Sequence, residues 1–279
     1  MKTREIRKVV TGTTQYDGAG VKLVRVISLP DVKEFDPFLM LDAFDSIDPD
    51  DYTKGFPWHP HRGIETVTYL ISGEIEHTDS LGNKGSILDG CCQWMTAGGG
   101  ILHQEMPKKS NRMLGIQLWL NLPKKDKMTS PKYRDIRADM VTKIDEDDNI
   151  IRVISGKYKG NSGAVQGEHV KMLFLDVEMK AGARWELETM TDTTLFIYIV
   201  EGEGCFDDSN DKLVPSRSAV LFNDGEKLVA RATEKGLRFL LFSGAKLNES
   251  IAWGGPIVMN TQEELKRAFK DIEDGTFVK

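Results

Sequence analysis

The sequence predicts an all-β fold built from two tandem β-barrel units, with one short helix near the C-terminus. Three observations predict it: short apolar, β-branched runs separated by glycine turns, a faint repeat of one such unit in each half, and a single capped amphipathic segment near the end. Residues 66–71 (TVTYLI) alternate β-branched, aromatic and polar side chains and stop at Ser72-Gly73, as a strand with one buried face does. Residues 74–78 read as its hairpin partner, followed by a turn at Leu81-Gly82-Asn83. Residues 195–200, 219–222, 227–232 and 238–242 repeat the style in the second half. Residues 68–74 resemble 198–203 when Gly73 is superposed on Gly202, and residues 115–119 resemble 237–242. Two copies of one β unit account for the length of 279 residues. Between the copies, residues 123–149 are rich in charge and poor in large apolar side chains, which reads as a connection. The helix comes last. Thr261 with Glu264 forms a capping box, Leu265, Ala268, Phe269 and Ile272 form an apolar stripe, and Gly275 supplies the stop.

Composition narrows the function classes. Hydrophobic residues make up 40% and charged residues 29%, enough for a sizeable core, and no apolar run approaches the roughly 18–20 residues of a membrane span. The formal charge of −6 argues against broad electrostatic binding to nucleic acid, which needs a basic face, and leaves a local basic patch open; the N-terminus opens basic with Lys2, Arg4, Arg7 and Lys8. Lys108-Lys109 and Lys124-Lys125 read as solvated pairs. No apolar segment with a cleavage site follows the basic start, and three cysteines, two of them the adjacent Cys91 and Cys92, are too few for a disulfide scaffold. The expectation is a monomer with reduced, buried thiols, located in the cytoplasm or, in a eukaryotic host, also the nucleus.

The chemistry is concentrated in two short segments. Residues 58–65 read WHPHRGIE and residues 98–107 read GGGILHQEMP. On an extended strand, residues i and i+2 point the same way, so His59 with His61, and His103 with Glu105, can each address one point in space. Three of the five histidines lie in these pairs. If the two segments are neighbouring strands, they supply a mixed imidazole–carboxylate site of the kind that holds a divalent transition metal rather than calcium. Three neutral imidazoles, one carboxylate and a divalent ion leave a net charge of +1, which favours an anionic substrate. Glu65 shares the strand parity of His59 and His61 unless Gly63 breaks it, so spacing does not choose between Glu65 and Glu105. Gly98-Gly99-Gly100 lacks the Lys-Ser/Thr of a phosphate loop and reads as a turn where backbone comes close. His77 and His169 read as structural histidines.

Five segments strongly resemble the pirin family of the cupin superfamily: HPHRGIETVTYLISGEIEH (59–77), DSLGN (79–83), QWMTAGGGILHQEMP (93–107), LWLNLPKKDKM (118–128) and GGPIVMNTQEEL (254–265). The resemblance implies a bicupin of two jelly-roll barrels: a metal-binding N-terminal cupin domain at residues 1–130 and a C-terminal cupin domain without metal at residues 131–279, its helix at about 261–274. It implies one mononuclear Fe(II) held by His59, His61, His103 and Glu105, with Glu65 behind the ligands. Aligning the glycine turns puts Glu188 and Met190 where His59 and His61 stand in the first copy. The resemblance further implies a dioxygenase that cleaves flavonols such as quercetin with O₂ and releases CO. Glu105 would then also be the catalytic base, and Phe56, Trp58, Trp94, Met95 and Met106 would wall the pocket or fill the barrel. The alternative it implies is a non-enzymatic, iron-dependent redox sensor that binds a regulatory protein partner.

Overall fold

The computed structural model describes residues 1–207 and 212–278. These divide into two compact units, each assembled from separate stretches of chain. One unit takes residues 13–32, 38–138 and 247–279; the other takes residues 1–12, 33–37 and 139–246. Expectation and structure agree on an all-β chain of two cupin domains with one short C-terminal helix.

The first unit contains a seven-stranded antiparallel sheet in the order Lys132–Ile136, Cys92–Thr96, Ile64–Ser72, Met113–Asn121, Phe38–Ser46, Val21–Ile27, Thr13–Asp17. A four-stranded sheet, Phe56–His61, Ile101–Lys108, Glu74–Asp79, Lys84–Ile87, covers it. Where the two sheets pack, a strand buries the face turned to the other sheet. Ile101–Lys108 shows the resulting alternation, with Ile101, His103, Glu105 and Pro107 inward. The second unit repeats the order with Ile6–Thr11, Ser218–Phe222, Thr193–Cys205, Lys227–Ala245, Met172–Met179, Asn149–Ser155 and Thr142–Glu146. The glycine turns that suggested the repeat occupy equivalent places, and Gly73 (φ 119°) and Gly202 (φ 77°) both adopt the left-handed region.

Two expectations about local structure are corrected. Residues 123–149 are not a bare connection, since they contain the strands Lys132–Ile136 and Thr142–Glu146. Both lie at the outer end of a sheet, where few side chains are buried and the apolar signal is weak. Residues 227–232 and 238–242 form one strand, Lys227–Ala245, whose first half pairs with Arg184–Glu188 and whose second half pairs with Met172–Met179. In the basic start, Arg4 is buried on the carbonyls of Asn223 and Met190 and the hydroxyl of Thr189, while Arg7 and Lys8 both pair with Glu34.

The helix, Gln262–Glu273, has the expected capping box, with Thr261 Oγ1 accepting from Glu264 N–H and the Glu264 carboxylate accepting from Thr261 N–H. Leu265 and Ala268 are buried, whereas Phe269 and Ile272 stay partly exposed. Arg62, one residue after His61, holds this terminal segment. Its guanidinium donates to the Gly99 carbonyl, the Asp271 carboxylate and the Phe277 carbonyl, and lies 4.3 Å above the Phe277 ring centroid. A buried guanidinium with this many partners is costly to remove, because it leaves two carbonyls without a donor and Asp271 with only its pairing to Arg267. Arg62→Ala is expected to destabilise the protein by about 2–3 kcal/mol. In hydrogen exchange, the amides of Gln262–Glu273 should lose protection before those of the seven-stranded sheet.

Candidate metal centre

Phe56–His61 pairs antiparallel with Ile101–Lys108 in a register that sets His103 opposite His59. The pairing brings three imidazoles to one point: ring nitrogens of His59, His61 and His103 lie within 4.8 Å of one another. His61 and His103 are buried and His59 is half-buried.

The donor set fits a cation. His59 Nδ1–H donates to the Pro57 carbonyl at 2.8 Å, and His61 Nδ1–H donates to the Pro256 carbonyl at 3.2 Å. A carbonyl only accepts, so in neutral rings both protons sit on Nδ1 and both Nε2 atoms carry lone pairs. Those Nε2 atoms face each other at 3.1 Å. Two lone pairs at that distance repel unless a proton or a metal ion lies between them. His103 Nε2 is buried with no hydrogen-bond partner, while its Nδ1 lies 3.4 Å from His77 Nδ1. Backbone carbonyls that fix the tautomer and leave Nε2 free are the usual outer partners of metal-binding histidines.

Burial also keeps the rings neutral. Desolvation, then the neighbouring His59, pushes His61 down to about 3 from the ordinary 6.5. Desolvation, then His61, His59 and His77, holds His103 well below its ordinary value. Ligands must be unprotonated to bind metal, so these two are ready at neutral pH.

Glu105 is buried in the same cavity as His59 and His61. Its two carboxylate oxygens accept from Gln117 Nε2 at 3.0 and 2.9 Å, and Thr68 Oγ1 lies 3.4 Å away. Trp119 Nε1–H donates to Gln117 Oε1 at 3.1 Å, which fixes the orientation of the Gln117 amide. Glu65 is placed differently. Gly63 (φ 78°) ends one strand and Ile64 begins another in the opposite sheet, which breaks the parity with His59 and His61. The Glu65 carboxylate instead accepts from Thr96 Oγ1 at 2.7 Å. A Cβ at Gly63 would come within 1.9 Å of the Val258 carbonyl oxygen, so the break requires glycine. Gly98 and Gly100 are constrained in the same way by the backbone of Thr129 and Phe277.

The cavity holds about 600 Å³. Of the five wall residues expected, Phe56 lines it; Trp94 and Met95 are core, Trp58 is half exposed, and Met106 packs at Gly55. The aromatic wall comes from residues the sequence reading missed, Trp119 and Trp253, whose ring centroids are 5.9 Å apart, with Trp119 edge-on to His61. Trp253 and Pro256 come from the C-terminal stretch, far in sequence from the two histidine-bearing segments. His77, expected to be structural, stacks on Tyr133 and touches His103. Cys92 is buried and desolvation raises its thiol, so it is not a nucleophile. In the second unit the interior is filled by apolar side chains including Trp185, Phe206 and Phe239, and Met190, in the place aligned with His61, is exposed.

Two cupin domains, one with a convergent histidine triad, make this chain a bicupin with a candidate metal site. Family comparison gives the same result: residues 20–120 match the Pirin model and residues 174–278 the Pirin C-terminal cupin domain. The chain is 40% identical to a pirin-like protein of Caulobacter vibrioides over 99% of this chain and all of that one. It therefore belongs to the pirin family. A crystal structure of quercetin 2,3-dioxygenase from Acinetobacter baumannii superposes with a TM-score of 0.90 at 31% identity, covering 99% of this chain and 98% of that one. The fold is shared with Escherichia coli YhhW, a bacterial pirin solved in complex with nickel(II), at 20% identity and a TM-score of 0.67 over 86% of this chain and 99% of that one.

The depressed histidines set a pH dependence. An unfolded His61 takes a proton below about 6.5, whereas the folded one resists until about 3. The unfolded state therefore binds more protons across that window, and stability is lost as pH falls through it. The metal-free protein should show a Tm that drops from pH 7 towards pH 4, and His61→Gln should flatten that slope.

Proposed function

We propose that this chain is an iron-dependent dioxygenase that opens the central ring of flavonols such as quercetin with O₂ and releases CO. The observation that supports this reading best is the combination in one cavity of three converging imidazoles, a buried carboxylate and flat aromatic walls. Likeness to a quercetin 2,3-dioxygenase over nearly the whole chain points the same way. In this reading His59, His61, His103 and Glu105 hold Fe(II), which when bound supplies a Lewis acid for an ionised substrate hydroxyl and one-electron chemistry for O₂.

The protein groups have distinct tasks. Glu105 accepts the proton of the flavonol 3-hydroxyl, as its carboxylate lines the cavity and each oxygen keeps a lone pair beyond its bond to Gln117. Gln117, oriented by Trp119, keeps that carboxylate aimed inward and can hold it through the proton transfer. Phe56, Met40, Trp119 and Trp253 sandwich a planar substrate and exclude water from the reacting ring. The Pro57 and Pro256 carbonyls keep His59 and His61 in the tautomer that leaves Nε2 available.

Metal analysis of the purified protein and its variants tests the ligand set. His59→Ala, His61→Ala and His103→Ala are each expected to lose stoichiometric metal, and Glu65→Ala to retain it. Oxygen uptake with CO release on adding quercetin to the iron-loaded protein tests the reaction. Glu105→Ala is expected to lose metal as the histidine variants do, and Glu105→Gln, with iron resupplied in excess, to lose about 100-fold or more in turnover. An iron-replete wild type that consumes no oxygen with any flavonol would overturn the assignment.

A further inference from the structure

The cavity does not end at the imidazoles. Its other end is polar and lined by Arg25, Asp17, Asp42 and Gln15. We propose that this end is a specificity subsite for a ring bearing adjacent hydroxyl groups, and that the substrates, on the dioxygenase reading above, are flavonols carrying such a ring remote from the metal.

The sheet register places the subsite. Arg25 pairs with Asp42, Asp42 with Gln117, and Gln117 with Thr68, one residue on each of four adjacent strands. Direct cross-strand partners point to the same face, so these side chains form a polar row under the cavity. Gln117 holds Glu105 at one end of the row. Arg25 lies two strand spacings further on, about 10 Å. That span suits a flat, three-ring molecule with one end at the imidazoles.

The charge pattern selects the chemistry of the far end. Arg25 Nε and Nη2 donate to the two Asp42 oxygens at 2.9 and 2.7 Å, and Nη2 also donates to Asp17 at 2.7 Å. Asp42 is buried and holds the guanidinium in place, whereas the Asp17 carboxylate is about half exposed at the rim. Asp17 also accepts from Gly18 N–H at 2.7 Å, which leaves lone pairs on both oxygens for a ligand. Nη1 of Arg25 takes part in none of these bonds. One guanidinium and two carboxylates sum to −1, so a second anionic group is disfavoured here, in contrast to the imidazole end, which would carry a net +1 with a divalent ion bound. A neutral hydroxyl that donates to Asp17, beside one that accepts from Arg25 Nη1, satisfies a donor and an acceptor together. Two hydroxyls on adjacent ring carbons have that arrangement; a single hydroxyl satisfies one partner, and an unsubstituted ring leaves both polar groups desolvated.

The test compares three flavonols that differ only in the remote ring: quercetin (two adjacent hydroxyls), kaempferol (one) and galangin (none). Binding to the metal-loaded protein is measured without oxygen by tryptophan fluorescence or calorimetry, and oxygen uptake is measured separately. Quercetin is expected to bind at least 10-fold more tightly than galangin, with kaempferol between. Arg25→Gln and Asp17→Ala are each expected to bring that ratio to within about 2-fold. Asp17 lies on an outer strand with every residue exposed, so its variant tests the subsite even if Arg25→Gln, which strands buried Asp42, fails to fold. A wild type that does not discriminate, a ratio that survives Asp17→Ala, or no binding of any flavonol would overturn the subsite. Discrimination in binding with no oxygen uptake would overturn the dioxygenase reading and leave the subsite standing; oxygen uptake without discrimination would do the reverse.

Discussion

The antiparallel register between Phe56–His61 and Ile101–Lys108 is the constraint on which the site depends. It places His103 opposite His59 and leaves Glu105 two residues further along the same inward face. Because strand side chains alternate, a slip of one residue would turn His103 and Glu105 out of the cavity and replace them with Leu102 and Gln104. The slip is resisted from both sides. Ile101–Lys108 is also paired in register with Glu74–Asp79, and the glycine turn before it admits no side chain at Gly98 or Gly100.

Once the register is set, the surroundings act on the imidazoles in one direction. Backbone carbonyls take the Nδ1 protons of His59 and His61, and burial keeps His61 and His103 neutral. The result is a group of lone pairs aimed at a shared point, an arrangement that apolar neighbours do not stabilise. Such a site costs folding free energy while it is empty of a cation, which is a common property of preorganised binding sites. The second unit has the same strand order and lacks this cost, because its interior is filled by Trp185, Phe206, Phe239 and their neighbours.

The C-terminal stretch is part of the first unit. Arg62 binds its helix, Lys127 donates to the carbonyls of Gly63 and Val258, and Trp253 and Pro256 reach the cavity. Arg62 and Gly63 follow directly on His61, so the contacts that anchor this stretch also fix the end of the ligand-bearing strand. Desolvation lowers Lys127 to about 7, and its three acceptors compensate for that burial.

Local patterns were enough to determine several features from sequence alone: the strands with a buried face, the capped helix, the glycine turns, and the His59/His61 and His103/Glu105 pairs. Each rests on side-chain period or on a residue type that a turn requires, and such signals survive without knowledge of neighbours. The strands at the sheet ends were not legible, because Lys132–Ile136 and Thr142–Glu146 bury too little to show an apolar pattern. Spacing alone left Glu65 and Glu105 equivalent until the break at Gly63 sent Ile64–Ser72 into the other sheet. Only the tertiary structure placed Trp119, Trp253, Pro256, Gln117 and Arg25 around one cavity. These residues are separated by up to most of the chain length, and no local period encodes which strands lie side by side.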